Sequence, residues 1–243
     1  MFSSLHEIFR GLDRLVYPPT CLLCSSPFDR QTSHSLCTSC ERSIINDSVP
    51  TCRRCCSTIG PHVAAEDGCD KCRTERFQFE GAMRLGSYDG PLREAIISMK
   101  DQSGEILAET LGSIWAGRDR EKFLFLAIDV LIPIPLHWSR RIVRGYSQPS
   151  AIAHSMADVL NTPCHDNWLK RTRRTPKQFT QSPAMRRENL KNAFQVTRRC
   201  QVKDRRVMLV DDVLTTGATC HEAARALKAA GAAQVWAAVL AHR

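Results

Sequence analysis

The 243-residue chain is 43% hydrophobic and 24% charged, carries 34 Lys plus Arg against 25 Asp plus Glu, and contains twelve cysteines. That balance excludes a disordered chain and supplies enough apolar content to bury one α/β core beside a small metal-stapled module. No uninterrupted apolar run reaches signal-peptide or membrane-span length, which argues against a spanning helix and for a cytoplasmic protein.

Residues 1–16 place Leu5, Ile8, Phe9, Leu12, Leu15 and Val16 at helical spacing, interrupted by Glu7 and Asp13. They predict an amphipathic helix that packs on its own domain rather than on a membrane. Residues 17–76 hold eight cysteines in four Cys-x2-Cys pairs, Cys21 with Cys24, Cys37 with Cys40, Cys52 with Cys55 and Cys69 with Cys72. Each such knuckle puts two thiolates on one side of a tight turn, and two knuckles complete the tetrahedral sulfur shell that Zn²⁺ prefers. Closeness in sequence joins 21/24 to 37/40 and 52/55 to 69/72, giving a double zinc ribbon with two structural sites; an interleaved pairing is the alternative. Cys56 competes with Cys55 as a ligand, although the x2 spacing favours Cys55. A disulfide framework fits less well, because reduced thiols are the cytosolic norm. The isolated Cys164, Cys200 and Cys220 read as packing residues.

From Phe77, residues 77–243 read as the catalytic-type domain. A strand at 82–88, a helix from Pro91 to about Ala116 with Gly104 as a break point, and an apolar strand at 124–134 alternate. This predicts an α/β fold with a largely parallel sheet flanked by helices. Ile96, Ile97, Met99, Ile106, Leu107, Leu111, Ile114 and Trp115 form the core face of the helical region. The strand runs out through Ile134, Pro135, Leu136 and His137 into a basic turn with Arg140 and Arg141, and a helix opens near Arg144. Pro135, Leu136, His137, Arg141 and Arg144 are therefore candidates for a second phosphate contact, although the prolines also serve simply to end the strand.

Between His137 and Arg206 stand 16 Lys plus Arg against 4 Asp plus Glu, a local charge of +12 against −3 for the remainder. Lys170, Arg171, Arg173, Arg174 and Lys177 concentrate it, followed by Gln178, Arg186, Arg187 and Asn189 in a stretch broken by Pro176 and Pro183. The run reads as a basic flap that screens an anionic leaving group and excludes water. Two other readings are a solvated charge run and a surface for single-stranded nucleic acid, with Trp168 or Phe179 stacking on bases.

The most informative stretch is 207–219. Four apolar residues, Val207 to Val210, read as a buried parallel strand; Asp211 and Asp212 follow; then Leu214, Thr215, Thr216, Gly217, Ala218 and Thr219 lead into a helix over 220–230 closed by Gly231. Unpaired N–H groups and the dipole at a helix start face an anion, threonine hydroxyls add donors, and Gly217 lets the backbone approach closely. Adjacent carboxylates at a strand's carboxyl end accept hydrogen bonds from vicinal hydroxyls. The implied ligand is a sugar carrying a phosphate.

This stretch resembles the fingerprint of the type I phosphoribosyltransferases, and that resemblance implies a 5-phosphate site for phosphoribosyl pyrophosphate on Thr215 to Thr219. It assigns the ribose hydroxyls, and the catalytic role, to Asp211 and Asp212, and the pyrophosphate loop to 133–137. The ribbon, Tyr88-Asp89-Gly90-Pro91-Leu92-Arg93, Ile132-Pro133-Ile134-Pro135-Leu136-His137, Arg144-Gly145-Tyr146-Ser147-Gln148, Thr175-Pro176-Lys177-Gln178 and Arg186-Arg187-Glu188-Asn189 extend the likeness, so that nearly the whole chain is similar to the ComF family. Ser147 stands where that family has Asn, and Cys56 is an addition to the usual ribbon. Members join a cysteine ribbon to a phosphoribosyltransferase domain and are associated with DNA uptake in natural competence. The resemblance implies Mg²⁺ bridging ribose hydroxyls and pyrophosphate, transfer of a phosphoribosyl group to an unidentified acceptor, and single-stranded DNA and competence helicase-type proteins as partners. The alternative is a ligand-sensing, DNA-binding competence protein without catalysis.

Overall fold

The computed structural model describes residues 19–28, 35–45, 47, 49–60, 68–101, 104–136, 145–173 and 188–243. The helix expected at 1–16 lies outside the described residues, as do His137, Arg141, Arg144, Lys177, Gln178 and Arg186.

In chain order the elements are α1 (Thr38–Ile45), α2 (Asp70–Thr74), β1 (Ala82–Ser87), α3 (Gly90–Ser98), α4 (Glu105–Arg118), α5 (Arg120–Phe125), β2 (Val130–Pro133), α6 (Gln148–Leu160), β3 (Leu169–Arg171), β4 (Phe194–Val196), β5 (Arg206–Leu214), α7 (Ala218–Ala229) and β6 (Gln234–His242). A four-stranded sheet has the order β1-β6-β5-β2 with every neighbouring pair parallel, and β3 and β4 form a separate antiparallel pair. The apolar run of β5 is buried on both faces, as a central parallel strand requires. Val207 and Leu209 join Ala223, Ala224 and Leu227 of α7 in one core, while Met208 and Val210 join Leu111 of α4 and Ile152 and Met156 of α6 in the other. The α/β fold with helices on both faces of a parallel sheet is thus the one expected, and it puts the carboxyl ends of β5 and β2 side by side. Among the described residues no helix is long and apolar enough to cross a membrane.

Two elements differ from expectation. The strand expected at 124–134 is confined to Val130–Pro133, because Leu124 and Phe125 end α5 and face solvent, at 54% and 88% exposure. Helix α5 is anchored instead by Phe123, whose ring meets Trp115 edge-on at 5.4 Å, and by Asp119, which accepts from Trp115 Nε1 at 3.0 Å and pairs with Lys122 at 2.9 Å. The single helix expected over 91–116 is two, α3 and α4. Its break is fixed by Gly104, where a Cβ would lie 2.5 Å from the Met99 carbonyl oxygen, and by Tyr146 and Gln148, which both donate to that carbonyl. Elsewhere boundaries shift by little: α7 begins two residues before 220, and Gly231 follows it at φ +95 as the cap expected there.

The cysteine-rich region is a structural duplication. Cys21 N–H donates to the Ser26 carbonyl and Cys52 N–H to that of Ser57; Ser25 N–H returns to Cys21 and Cys56 N–H to Cys52; Phe28 N–H reaches Pro19 and Ile59 N–H reaches Pro50. Ser25 and Cys56 both hold positive φ, 59 and 55. Cys56 is therefore the copy of Ser25, the left-handed residue after the knuckle, and its buried side chain joins the α7 core. The module lies along the outer edge of β1, whose Ala82 N–H donates to the Arg53 carbonyl at 3.2 Å. Arg84 clamps it, pairing with Asp47 at 3.0 Å and donating to Thr58 Oγ1 and Ser87 Oγ. An otherwise open sheet edge is thereby covered.

Close approach of α4 and α6 depends on Gly112, where a Cβ would lie 2.2 Å from Ser155 Oγ and 2.7 Å from the Ile152 carbonyl oxygen. Gly→Ala inside a helix ordinarily stabilises by roughly 0.5–1 kcal/mol. Gly112→Ala should reverse that sign and destabilise by roughly 1–3 kcal/mol, because a packed helix backbone must move. Gly117→Ala on the same helix, with nothing within 4 Å of its Cβ, should show the ordinary gain. Urea unfolding midpoints of the two variants check this; a stabilised Gly112→Ala would show that the helices are not in contact there.

Candidate functional site

The carboxyl edge of the sheet gathers the candidate residues. β5 carries its pairing with β6 through the acid pair to Leu214, opposite His242, which fixes the backbone of Asp211 and Asp212 as strand. One oxygen of each carboxylate is already engaged locally: Asp212 N–H donates to Asp211 Oδ1 at 2.9 Å and Val213 N–H to Asp212 Oδ1 at 2.8 Å. These bonds orient the two side chains; the second Asp212 oxygen faces Lys100, and the two carboxyl groups also hydrogen-bond to each other. Burial, and then the neighbouring Asp212 charge, push the Asp211 carboxyl well above the usual carboxylate range, opposed by the Asp212 backbone N–H and by the Arg171 charge. An acid pair held this way favours partners that bring positive charge or hydroxyl donors.

The following turn is built around Gly217, which sits at φ +76 directly before α7. A Cβ there would lie 2.7 Å from the Phe77 ring, so glycine is required both by backbone hand and by space. Thr216 Oγ1 accepts from Ala218 N–H at 3.4 Å, and Thr215, Thr216 and Thr219 are half-buried around the opening of the helix. The first turn of α7 and the three threonines thus follow the acid pair directly, residue types suited to a phosphate group. From the adjacent strand β2, Ile134 N–H donates to the Val210 carbonyl at 2.8 Å. This pairing brings half-buried Pro135 and Leu136 out next to Asp211.

Three residues join this edge that local sequence chemistry does not single out for it. Lys100, after α3, stands 3.9 Å from Asp212 Oδ2. Lys71 of α2 donates from Nζ to the Thr215 carbonyl at 3.4 Å. Phe77 lies under Gly217. None carries a motif, and each arrives across more than a hundred residues of chain. Arg171, in sequence only one member of the basic run, belongs to β3 and is close enough for its charge to act on Asp211.

The cysteines form two clusters, Cys21, Cys24, Cys37 and Cys40, and Cys52, Cys55, Cys69 and Cys72, with all sulfurs of a cluster within 4.8 Å of one another. The sequential pairing holds and the interleaved one does not. Zn–S bonds of about 2.3 Å place tetrahedral sulfurs about 3.8 Å apart; Cys24 and Cys37 stand at 3.8 Å and Cys55 and Cys69 at 3.5 Å. Backbone N–H groups also point at sulfur, Cys37 to Cys21 and Cys69 to Cys52, each at 3.3 Å, as expected around thiolates. The Ser26 hydroxyl, followed by its backbone, draws the Cys24 thiol down to about 6. The donor sets fit two structural Zn²⁺ ions with no open position. Cys56 is not a ligand, all twelve cysteines are free thiols, and Cys164, Cys200 and Cys220 pack against the cores.

Residues 150–243 match the phosphoribosyl transferase domain family and residues 12–76 the double zinc ribbon domain family. The chain is 30% identical over 218 residues to Competence protein F of Haemophilus influenzae, covering 84% of this chain and 89% of that one. It is 29% identical over 229 residues to DNA utilization protein YhgH of Escherichia coli O157:H7, covering 91% and 97%. It is 23% identical over 241 residues to Competence protein ComFC of Bacillus subtilis, covering 94% and 95%. A parallel sheet ending in an acid pair and a threonine-glycine turn, flanked by two four-cysteine clusters, together with these similarities along most of its length, makes this chain a member of the ComF family.

Proposed function

We propose that the chain binds phosphoribosyl pyrophosphate and transfers its phosphoribosyl group to an acceptor, in a cytoplasmic setting that keeps the ribbon thiols reduced. The observation that carries this reading is the juxtaposition of the Asp211 and Asp212 carboxylates with the glycine-pivoted turn at the start of α7. In this reading the N–H groups and hydroxyls of 215–219 hold the 5-phosphate, and the second carboxylate oxygens accept the ribose 2- and 3-hydroxyls. The anomeric C–O bond then breaks with its electron pair going to pyrophosphate, and an acceptor lone pair closes on the anomeric carbon while the acceptor's proton leaves to the pyrophosphate or to solvent. Pro135 and Leu136, which follow β2, stand nearest the departing anion in this reading, with Lys170, Arg171 and Arg173 supplying positive charge. Mg²⁺, carried by the substrate beside Asp211 and Asp212, would supply neutralisation of the pyrophosphate charge. Lys100 on Asp212 and the Arg171 charge on Asp211 partly offset the repulsion within the acid pair.

Asp211→Asn with Asp212→Asn is expected to weaken phosphoribosyl pyrophosphate binding by at least tenfold, since a hydrogen bond to a charged group is worth about 1.5–3 kcal/mol. Calorimetry with Mg²⁺ present measures it, and an unaltered affinity removes both residues from the site.

A second reading is a DNA-engaging protein that keeps the fold for ligand sensing. The charge of +12 over 137–206, with Lys170, Arg171 and Arg173 standing together, favours it. Relatives named for DNA utilization and competence are consistent with it. No heat with the sugar phosphate but binding of single-stranded DNA in the same calorimeter would select this reading over transfer.

A further inference from the structure

The two ribbons share one backbone design but meet different parts of the domain. Cys21, Leu36 and Ile44 of the first pack into the core shared with α3 and α4. The second reaches the 215–219 turn through Lys71 and Phe77. Lys71, between ligands Cys69 and Cys72, reaches the Thr215 carbonyl at 3.4 Å, and its peptide is held within the cluster because Cys72 and Arg73 N–H donate to Cys69 and Glu75 N–H to Lys71. Arg54 Nη1 ties the other end, donating to the Cys72 carbonyl at 2.9 Å. Phe77 touches both sides of the seam: it packs on the second cysteine cluster and on the α7 core, with the space over Gly217 filled by its ring. That ring stacks on Phe79 at 4.7 Å, meets His221 edge-on at 6.4 Å and lies 5.9 Å from Lys71 Nζ. In the first ribbon, Ser39 stands at the place of Lys71, between Cys37 and Cys40.

From this we infer that the second zinc ribbon, and not the first, is the rear wall of the 215–219 turn, with Lys71 and Phe77 as positioning residues that hold it in its anion-receiving shape. The inference rests on the reading of that turn as the phosphate cradle. A turn whose N–H groups must converge on one anion gains affinity from being held in place beforehand. The ammonium on the Thr215 carbonyl and the ring against Gly217 constrain the turn at its start and at its middle. Loading of the second cysteine cluster then bears on sugar-phosphate affinity, while loading of the first does not.

The test uses the full, zinc-loaded chain and reads hydrogen exchange of the peptide spanning 215–221 together with calorimetric affinity for phosphoribosyl pyrophosphate and Mg²⁺. Lys71→Ala and Phe77→Leu should each speed exchange and weaken binding by roughly three- to tenfold, the scale of one lost interaction. Zinc content should stay unchanged. Lys71→Arg should restore both readouts, and Ser39→Ala should alter neither. Wild-type exchange in both Lys71→Ala and Phe77→Leu overturns the inference. If exchange responds but the wild-type chain takes up no phosphoribosyl pyrophosphate, the wall stands and the phosphate reading of the turn falls.

Discussion

Purified under reducing conditions, the protein is expected to carry two Zn²⁺ per chain, and replacing Cys52 and Cys72 together by Ser should remove one of them and severely destabilise the fold. Structural zinc binding supplies about 10–16 kcal/mol in isolated ribbon-like peptides, comparable to the whole stability of a domain. The second cluster has Cys52, Cys55 and Cys72 at 0–1% exposure, so losing its metal leaves thiols in a dry interior beside Phe77 and Ile59. The first cluster differs, because Cys24 is exposed. A chelator should therefore strip the first site faster, giving two kinetic phases of metal release. Cys24→Ser should lose one zinc with a smaller fall in melting temperature than the Cys52→Ser, Cys72→Ser pair. Elemental analysis and melting curves check both statements. A folded, reduced sample with fewer than two zinc ions would overturn the assignment of two tetrahedral sites.

The features legible in the sequence are those that are chemically local. The four cysteine pairs declare themselves within a few residues each, and the acid pair and glycine turn occupy one continuous stretch, so both can be read without neighbours. Leu124 to Leu126 mislead because an apolar run does not say which side chains reach the core. Phe123 is buried, whereas Phe125 projects into solvent. The length of β5 is also hidden: polar Asp211 and Asp212 look like a strand end, yet β6 continues alongside and keeps them in register. Contacts such as Lys71 with Thr215 and Lys100 with Asp212 leave no periodicity or motif, because the spacing that creates them is set by the sheet order and not by the chain. The duplication of the ribbon is visible in its cysteines, but the role of Cys56 follows only from its left-handed backbone, matched to Ser25.

Gly217→Val should abolish most sugar-phosphate binding while sparing the fold. The residue sits at φ +76, where a side chain costs about 1–2 kcal/mol from backbone crowding alone, and a β-branched one more. A Cβ would also lie 2.7 Å from Phe77 Cε1 and 3.1 Å from Cζ. That ring cannot swing aside freely, since it is stacked on Phe79 at an interplanar angle of 12°. Adding about 1–3 kcal/mol for the forced contact gives a total of roughly 2–5 kcal/mol. The turn can relieve this only by moving its N–H groups off the common point at which they would meet a phosphate. At about 1.4 kcal/mol per tenfold, the expected loss of affinity is roughly thirtyfold or more. Strand β5 and helix α7 are held by their own packing on either side, so the fold should survive; strain kept in the turn lowers the melting temperature by about 4–20 °C, at about 2–4 °C per kcal/mol, and strain relieved by moving the turn lowers it less. Calorimetry of Gly217→Val, and of Gly217→Val combined with Phe77→Ala, separates the two causes. Removing the ring relieves the contact but not the backbone hand and also removes a support of the turn, so the added effect of Gly217→Val should be smaller on the Phe77→Ala background, measured beside Phe77→Ala alone, than on the wild type. Full affinity in Gly217→Val would mean that the anion is held elsewhere along the sheet edge, with Pro135 and Leu136 the next place to look.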